Sequence, residues 1–402
     1  MSRIDALLAQ LAPNGVEFKT LGEVVQIASA RADVALLDAT TYVGVDNLLP
    51  NFGGRRDSGY GANSSGAIKF EPGNILIGNI RPYLKKVWLA DRGGGASPDV
   101  LTLSLLPKWR GAILPRFLYF VIASEPFIAY SMQHAQGAKM PRGNKAATLK
   151  FPLPIPPLEV QREIVRILDK FTELEAELEA ELEARRLQYA HCRDHLLSFR
   201  EAGGVRWIRM GEAGTFERGR RFTRGDVVDG GIPSIHYGEI YTHYGVATSR
   251  SIRQVRESLR PQLRFALPGD VVIASVGETV EDVGKAVAWL GNGPVTIHDD
   301  TFRFRHSLSP KFVSYWMQTE AFHSQKTRHV ASAKIKRLSS SALASILMPV
   351  PPMEKQLRVV EVLDKFDALV DDLSIGLPAE LAARRKQYEY YRDKLLTFEE
   401  LV

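Results

Sequence analysis

Two clusters of side chains in this sequence have the composition of a metal site. His191, Cys192 and His195 would share one face of a helix, where imidazole and thiolate ligands can converge on one ion. His298-Asp299-Asp300 ends a predicted strand. The first cluster is read as interface packing, because a second copy of that helix carries Tyr390, Tyr391 and Lys394 at the matching places, which cannot form such a site. The second is read as a structural loop. No bound metal is expected. Catalytic motifs fare no better. Gly277 to Ala286 holds a Gly-Lys pair without the spacing or the Ser/Thr of a phosphate-binding loop. Gly59-Tyr60-Gly61 lacks the third glycine of a dinucleotide turn, and Pro98-Asp99 is not followed by Asp/Glu-x-Lys at nuclease-like spacing. The Asn/Asp-Pro-Pro-Tyr/Phe loop with which amino-methyltransferases hold a target amine is also missing. The chain is expected to have no catalytic centre and no cofactor of its own.

Charge is the remaining chemical signal, and it is unevenly placed. The 402 residues carry a net charge of +6. Residues 1–150 hold 17 Lys+Arg against 11 Asp+Glu, whereas 151–202 hold 7 against 11. Residues 203–345 hold 20 against 13, and 346–402 hold 8 against 11. A polyanionic partner would meet the two basic blocks and not the two acidic ones. A single cysteine excludes a disulfide framework and suits the cytoplasm. Met1 to Gly15 has helical spacing and no signal-peptide core, and no apolar run approaches the roughly 18 residues of a membrane span.

The elements that must position these charges are written twice. PLPIPPLEVQREIVRILDKF from Pro152 parallels LMPVPPMEKQLRVVEVLDKF from Leu347, with Leu168 and Leu363 at an offset of 195. ARRLQY and RDHLLSF return as ARRKQY and RDKLLTF at an offset of 199, so the second copy holds four extra residues. The basic blocks repeat more loosely: FEPGNILIGN at Phe70 parallels ALPGDVVIAS at Ala266, and Lys139 and Arg142 align with Lys334 and Arg337. The first residues, from Asp5, align with those from Asp194 at an offset of 189. The repeat is circular, as in two pseudo-equivalent halves about a two-fold axis.

Each acidic block predicts a long helix after a proline pair. Ile164, Ile167, Phe171, Leu174 and Leu178 form an apolar stripe, mirrored by Val359, Val362, Phe366, Leu369 and Leu373. That spacing predicts a seam between two antiparallel coiled-coil helices. The extra residues fall near Ser374-Ile375-Gly376-Leu377-Pro378, where the second helix should kink or restart. The basic blocks alternate short β-branched runs with Gly-rich loops and late helical patterns, predicting mixed α/β domains and an α+β chain. The expected divisions are 1–19, 20–150, 151–202, 203–345 and 346–402.

The doubled proline lead-ins, the LDKF turns, the GLPAEL…ARRKQYEYYRDKLL tail and the PGDVVI and GNIRPYL motifs resemble Type I restriction-modification specificity subunits. The likeness runs through the whole chain, except that the central helix replaces GLPAE with three tandem ELEA repeats, Glu173 to Ala184. The resemblance implies that 20–150 and 203–345 are target recognition domains, each reading half of a bipartite, asymmetric site on double-stranded DNA. It implies that the helices are a fixed spacer and that 1–19 completes the C-terminal conserved region. Two modification subunits carrying S-adenosylmethionine, and motor-nuclease subunits using ATP and Mg, would be the partners. A methyltransferase-only complex, or a coiled-coil scaffold for protein or RNA, are the alternatives.

If DNA is the ligand, Arg, Lys, Asn and aromatic side chains would carry the contacts. In the first domain these are Arg55 and Arg56 after Gly53-Gly54, then Asn79, Arg81 and Tyr83, then Lys139, Arg142 and Lys145. In the second they are Arg218, Arg220 and Arg221, then Tyr237, Tyr241 and Tyr244, then Lys334, Lys336 and Arg337. The recurring Lys139/Arg142 and Lys334/Arg337 suit phosphates, which are the same in any sequence. Arg55, Arg56, Arg220 and Arg221 show no mirror image in the alignment and suit bases.

Overall fold

A computed structural model of the chain describes residues 3–59, 66–199, 204–330, 336–370 and 377–401. It divides into two units, Met1–Glu179 with Leu381–Val402, and Ala180–Glu380. Among the described residues no helix is long and apolar enough to cross a membrane.

A Pro-Gly turn organises each unit. In the first, Gly73 adopts φ +85°, the left-handed conformation that the third position of such a turn demands. The Asn74 amide donates to the Glu71 carbonyl at 3.1 Å, and the Asn74 side chain accepts from the Glu71 amide at 3.0 Å. The second unit repeats this at Leu267–Asp270, with Gly269 at φ +93° and the Asp270 carboxylate accepting from Leu267 at 2.7 Å. The strands that follow, Ile75–Gly78 and Val271–Ala274, are buried throughout, and their side chains alternate between two cores. Ile75 and Ile77 face Phe117 and Phe120, while Leu76 faces Phe70 and Trp88. Val271 and Ile273 face Phe312 and Trp316, while Val272 faces Trp289 and Ile297.

The two units share one sheet topology. The first has an antiparallel sheet ordered Val25–Ile27, Val100–Leu105, Ile75–Gly78, Val87–Leu89, and a second ordered Tyr42–Val43, Gly94–Ala96, Ile68–Phe70. The second has Gly214–Arg218, Thr301–His306, Val271–Ala274, Ala286–Trp289, and then Ile232–Ile235, Val295–Ile297, Phe265–Ala266. Ala247–Thr248 joins the edge of the first of these sheets, and Arg253–Val255 and Val227–Val228 widen the other. Helices Pro115–Ile122 and Pro310–Trp316 start on proline and close the main cores. A two-stranded ribbon closes each domain, Glu17–Thr20 with Pro152–Ile155 and Arg206–Arg209 with Leu347–Val350.

The central helix, Leu158–Ser198, is continuous over 41 residues. The second acidic block forms Met353–Val370 and Leu377–Leu395; the kink or restart expected near Ser374–Pro378 falls largely outside the described residues. In the first unit the helices meet antiparallel: Phe171 lies 5.8 Å from Tyr391 and 6.2 Å from Tyr388, and Arg385 pairs with Glu175 at 2.6 Å and with Glu179. In the second unit Tyr189 lies 6.5 Å from Phe366. Aromatic pairs thus join the early part of one repeat to the late part of the other.

The predicted stripe does not all lie on that seam. Ile164, with Val160 and Leu168, is buried in the core of the first domain, with Ile167 packed beside it; Val359 belongs to the core of the second. Val362 and Phe366 remain 36% exposed and Leu174 40%. Leu178 is half-buried and Leu182 buried. Two physical causes act. The first turns of each helix must cover the domain they leave, and Gln161 and Gln356 fix them there by bonding the amides of Leu114 at 3.0 Å and Ser309 at 2.9 Å. A four-residue repeat also precesses by about 40° per step, so the ELEA leucines walk around the helix instead of keeping one face. Leu373 lies outside the described residues, as does the side chain of Leu369.

Candidate nucleic-acid interface

The cationic side chains gather where two sheet strands end together. In the first unit Gly78 pairs with Val100, so the next residue of one strand and the preceding residue of the other are neighbours, and the Asn79 amide donates to the Asp99 carbonyl at 3.0 Å. A hairpin closed by Gln136 and Arg142 docks on this sheet end. Gly143 donates to the Asn79 carbonyl at 2.9 Å, Arg81 donates to the Pro141 carbonyl at 2.7 Å, and Arg142 Nη1 donates to the Asp99 carboxylate at 2.7 Å. Asn79, Arg81, Tyr83, Lys139, Arg142 and Lys145 are therefore brought into one region. Lys139 stands exposed on the hairpin, and Lys145 opens a helical turn capped by Asn144. Tyr83 is 46% exposed. Arg81 and Lys85 both take left-handed backbone, at φ +55° and +53°, a conformation that is costly for residues with a Cβ.

The second unit rebuilds the same arrangement. Ala274 pairs with Thr301, and the Ser275 amide donates to the Asp300 carbonyl at 2.9 Å. Leu338 donates to the Ser275 carbonyl at 2.9 Å, the strand Lys336–Arg337 pairs with Val276–Gly277, and Arg337 lies 3.6 Å from the Asp300 carboxylate. Arg218 joins them, 3.8 Å from Asp300 and 2.5 Å from the Asp299 carbonyl. Arg220 and Arg221 are exposed beside it, and Lys336 is half-buried. Lys334 lies outside the described residues.

Several expected readers are engaged within their own unit. Arg55 is not on an open loop. Gly54 turns the chain back so that Arg55 bridges Leu48, and its side chain, 7% exposed, lies 5.3 Å over the Trp88 ring and 2.6 Å from Asp57. Arg56 alone of that pair faces solvent. Tyr241 donates its hydroxyl to the Val276 carbonyl, and the Tyr244 hydroxyl accepts from the Ile252 amide at 2.9 Å. With Tyr237, also half-buried, they pack against the core that holds Ile235 and Ile240. Burial pushes both Tyr241 and Tyr244 up, Tyr244 to about 12.

The donor atoms of His298, Asp299 and Asp300 fall within 4.8 Å of one another. Asp300, however, faces Arg337 and Arg218, and His298 packs 4.9 Å from Phe222 and 4.4 Å from His236. The residues fit an arginine anchor, not a cation site. Among the described residues no such grouping involves His191, Cys192 and His195. The sequence reading missed the two carboxylates, Asp99 and Asp300, having weighed them only as nuclease or metal groups. Their common place one residue before paired strands was the available signal. It also missed exposed Arg31, which stands at the 189-residue offset from Arg220.

The sequence matches the family described as Type I restriction modification DNA specificity domain over residues 13–184 and again over 200–383. The chain belongs to that specificity family. The specificity subunit of the type I restriction enzymes EcoR124I and EcoR124II of Escherichia coli is 33% identical over 259 residues, 62% of this chain and 63% of that one. A putative type I specificity subunit of Haemophilus influenzae is 29% identical, over 70% of this chain and 72% of its own. The match thus spans just under two thirds of the Escherichia coli relative's length. A chain solved in a study of complex assembly and conformational transition of the type I system has the same fold, with a TM-score of 0.66 at 19% identity over 96% of this chain and 98% of that one.

Proposed function

We propose that this chain is the sequence-reading, non-catalytic subunit of a type I restriction-modification complex. Each unit would read one half of a bipartite, asymmetric target on double-stranded DNA. The observation that carries this is the construction, twice in one chain, of the same basic sheet end. Arg142 with its hairpin in one unit and Arg337 with Arg218 in the other are tied to equivalent carboxylates and surrounded by exposed cations. Cations held at a sheet end suit phosphates, as does Arg220, which Arg31 mirrors in the first unit, while exposed Arg56 and Arg221, which have no such counterpart, suit bases. Two modification subunits, supplied with S-adenosylmethionine, would dock on this chain, with motor-nuclease subunits using ATP and Mg completing the restricting assembly. The 13–184 and 200–383 family matches support both halves equally.

The purified chain should transfer no methyl group to duplex DNA, and methylation should appear on adding the modification subunit. Mapping methylated adenines genome-wide would then return one bipartite motif. Methyl transfer by the chain alone, or methylation without a motif, would overturn the proposal.

A further inference from the structure

We infer that Asp99 and Asp300 are positioning residues for DNA binding, each presenting an arginine, Arg142 or Arg337, to the phosphate backbone. The inference rests on the reading of this chain as a DNA-recognition subunit and adds the groups that set its phosphate contacts.

The case is made by recurrence of a whole bonding pattern. Each carboxylate stands one residue before a sheet strand, Val100–Leu105 or Thr301–His306. Its own carbonyl accepts from the residue just after the neighbouring strand, Asn79 at 3.0 Å or Ser275 at 2.9 Å. That residue's carbonyl in turn accepts from the arginine's successor, Gly143 or Leu338, each at 2.9 Å. The carboxylate then faces the arginine side chain, hydrogen-bonded at 2.7 Å in the first unit and ion-paired at 3.6 Å in the second. The flanking segments differ almost completely, Ser97-Pro98 against His298-Asp299 and Gly143-Asn144 against Leu338-Ser339. The acid and the base are what both units keep.

An acid is out of place on a surface that meets a polyanion unless it does something the polyanion needs. Asp99 and Asp300 are partly open, 39% and 24% exposed, and their arginines 60% and 58%. These pairs are therefore not buried struts. A guanidinium has five donors in a planar fork. In Arg142 the donor engaged by Asp99 orients the fork and leaves the other donors free for a phosphate, while Asp300 holds Arg337 by charge at 3.6 Å. Without the acid the long side chain would have to be ordered at the moment of binding. In the second unit Asp300 also holds Arg218 beside Arg337, two like charges that would otherwise separate.

The test uses the full chain assembled with its modification subunits, and a duplex carrying the mapped target, titrated at several salt concentrations. Charge alone predicts that Asp99→Asn, by removing a negative group beside DNA, tightens binding. Positioning predicts the opposite sign. Asp99→Asn and Asp300→Asn should each weaken target binding by roughly tenfold and lower the salt slope by about one, as Arg142→Ala and Arg337→Ala do. Asp99→Glu should recover most of the loss, and Asp99→Asn should cost nothing further in an Arg142→Ala background. Unchanged or tighter binding by both Asn variants, while the wild-type complex binds its target, would overturn the inference alone. A wild-type complex that does not prefer its target duplex would overturn the recognition reading and this inference with it.

Discussion

Arg55 shows how a residue's neighbours decide its work. Its cation lies on the Trp88 face and against Asp57, with Nη1 buried and unpaired. Arg55→Ala is therefore expected to lower stability by about 1–3 kcal/mol, seen as a lower denaturant midpoint, and to leave the methylated motif unchanged. A changed motif at wild-type stability would return Arg55 to the reading surface. Histidines make a second residue-scale difference. Burial pulls His236, His306 and His323 down to about 4 and lowers His298, all within Ala180–Glu380. A base whose folded pKa is depressed binds its proton more readily when unfolded. The second unit should lose stability as pH falls from about 6.5, the ordinary value, towards about 4, and no further from this source below that. Hydrogen exchange followed with pH should show the Phe304 and Ile235 strands opening in that window; protection held down to pH 4 would contradict it. The sequence showed which residue types were present but not that Arg55 turns inward or that Asp99 and Asp300 hold arginines. Those outcomes depend on partners distant in the chain, Trp88 for Arg55 and Arg142 for Asp99, which no local spacing encodes.

Among the elements, those fixed by short-range chemistry were legible. The β-branched runs at Ile75–Gly78 and Val271–Ala274 predict their strands. The helix stripe was less so, because an apolar period says that a face is covered and not by what. Ile164 and Leu168 are covered by their own domain, Phe171 by Tyr388 and Tyr391. The ELEA run makes a clean test. One further ELEA adds about 6 Å to a helix and turns it by about 40° beyond a full turn. Since base pairs rise about 3.4 Å each, the expected outcome is a gap between half-sites longer by one or two base pairs, with both half-site sequences kept. Methylome mapping of the insertion variant beside its parent checks this. Full activity with an unchanged gap would show that the central helix does not set spacing.

For the whole molecule, the doubled layout was the most readable property, since matching stretches at offsets of 189, 195 and 199 need no structure to find. What the sequence could not show was that the second unit would widen both its sheets with Ala247–Thr248, Arg253–Val255 and Val227–Val228 while keeping the shared strand order. Exchange of residues 20–150 for the same region of a relative should alter one half of the methylated motif and leave the other. A replacement that altered both halves would contradict independent reading. The ribbons carry the reason such an exchange can work. Glu17–Thr20 runs antiparallel to Pro152–Ile155, and Arg206–Arg209 to Leu347–Val350, so a domain's two ends pass side by side through one narrow gate. In terms of inheritance, everything beyond that gate is a cassette: a recombination event needs to preserve only four residues of pairing on each side to install a new reader. Natural variation in such a chain should then fall in blocks whose borders coincide with the ribbons, with the helices passed on unchanged.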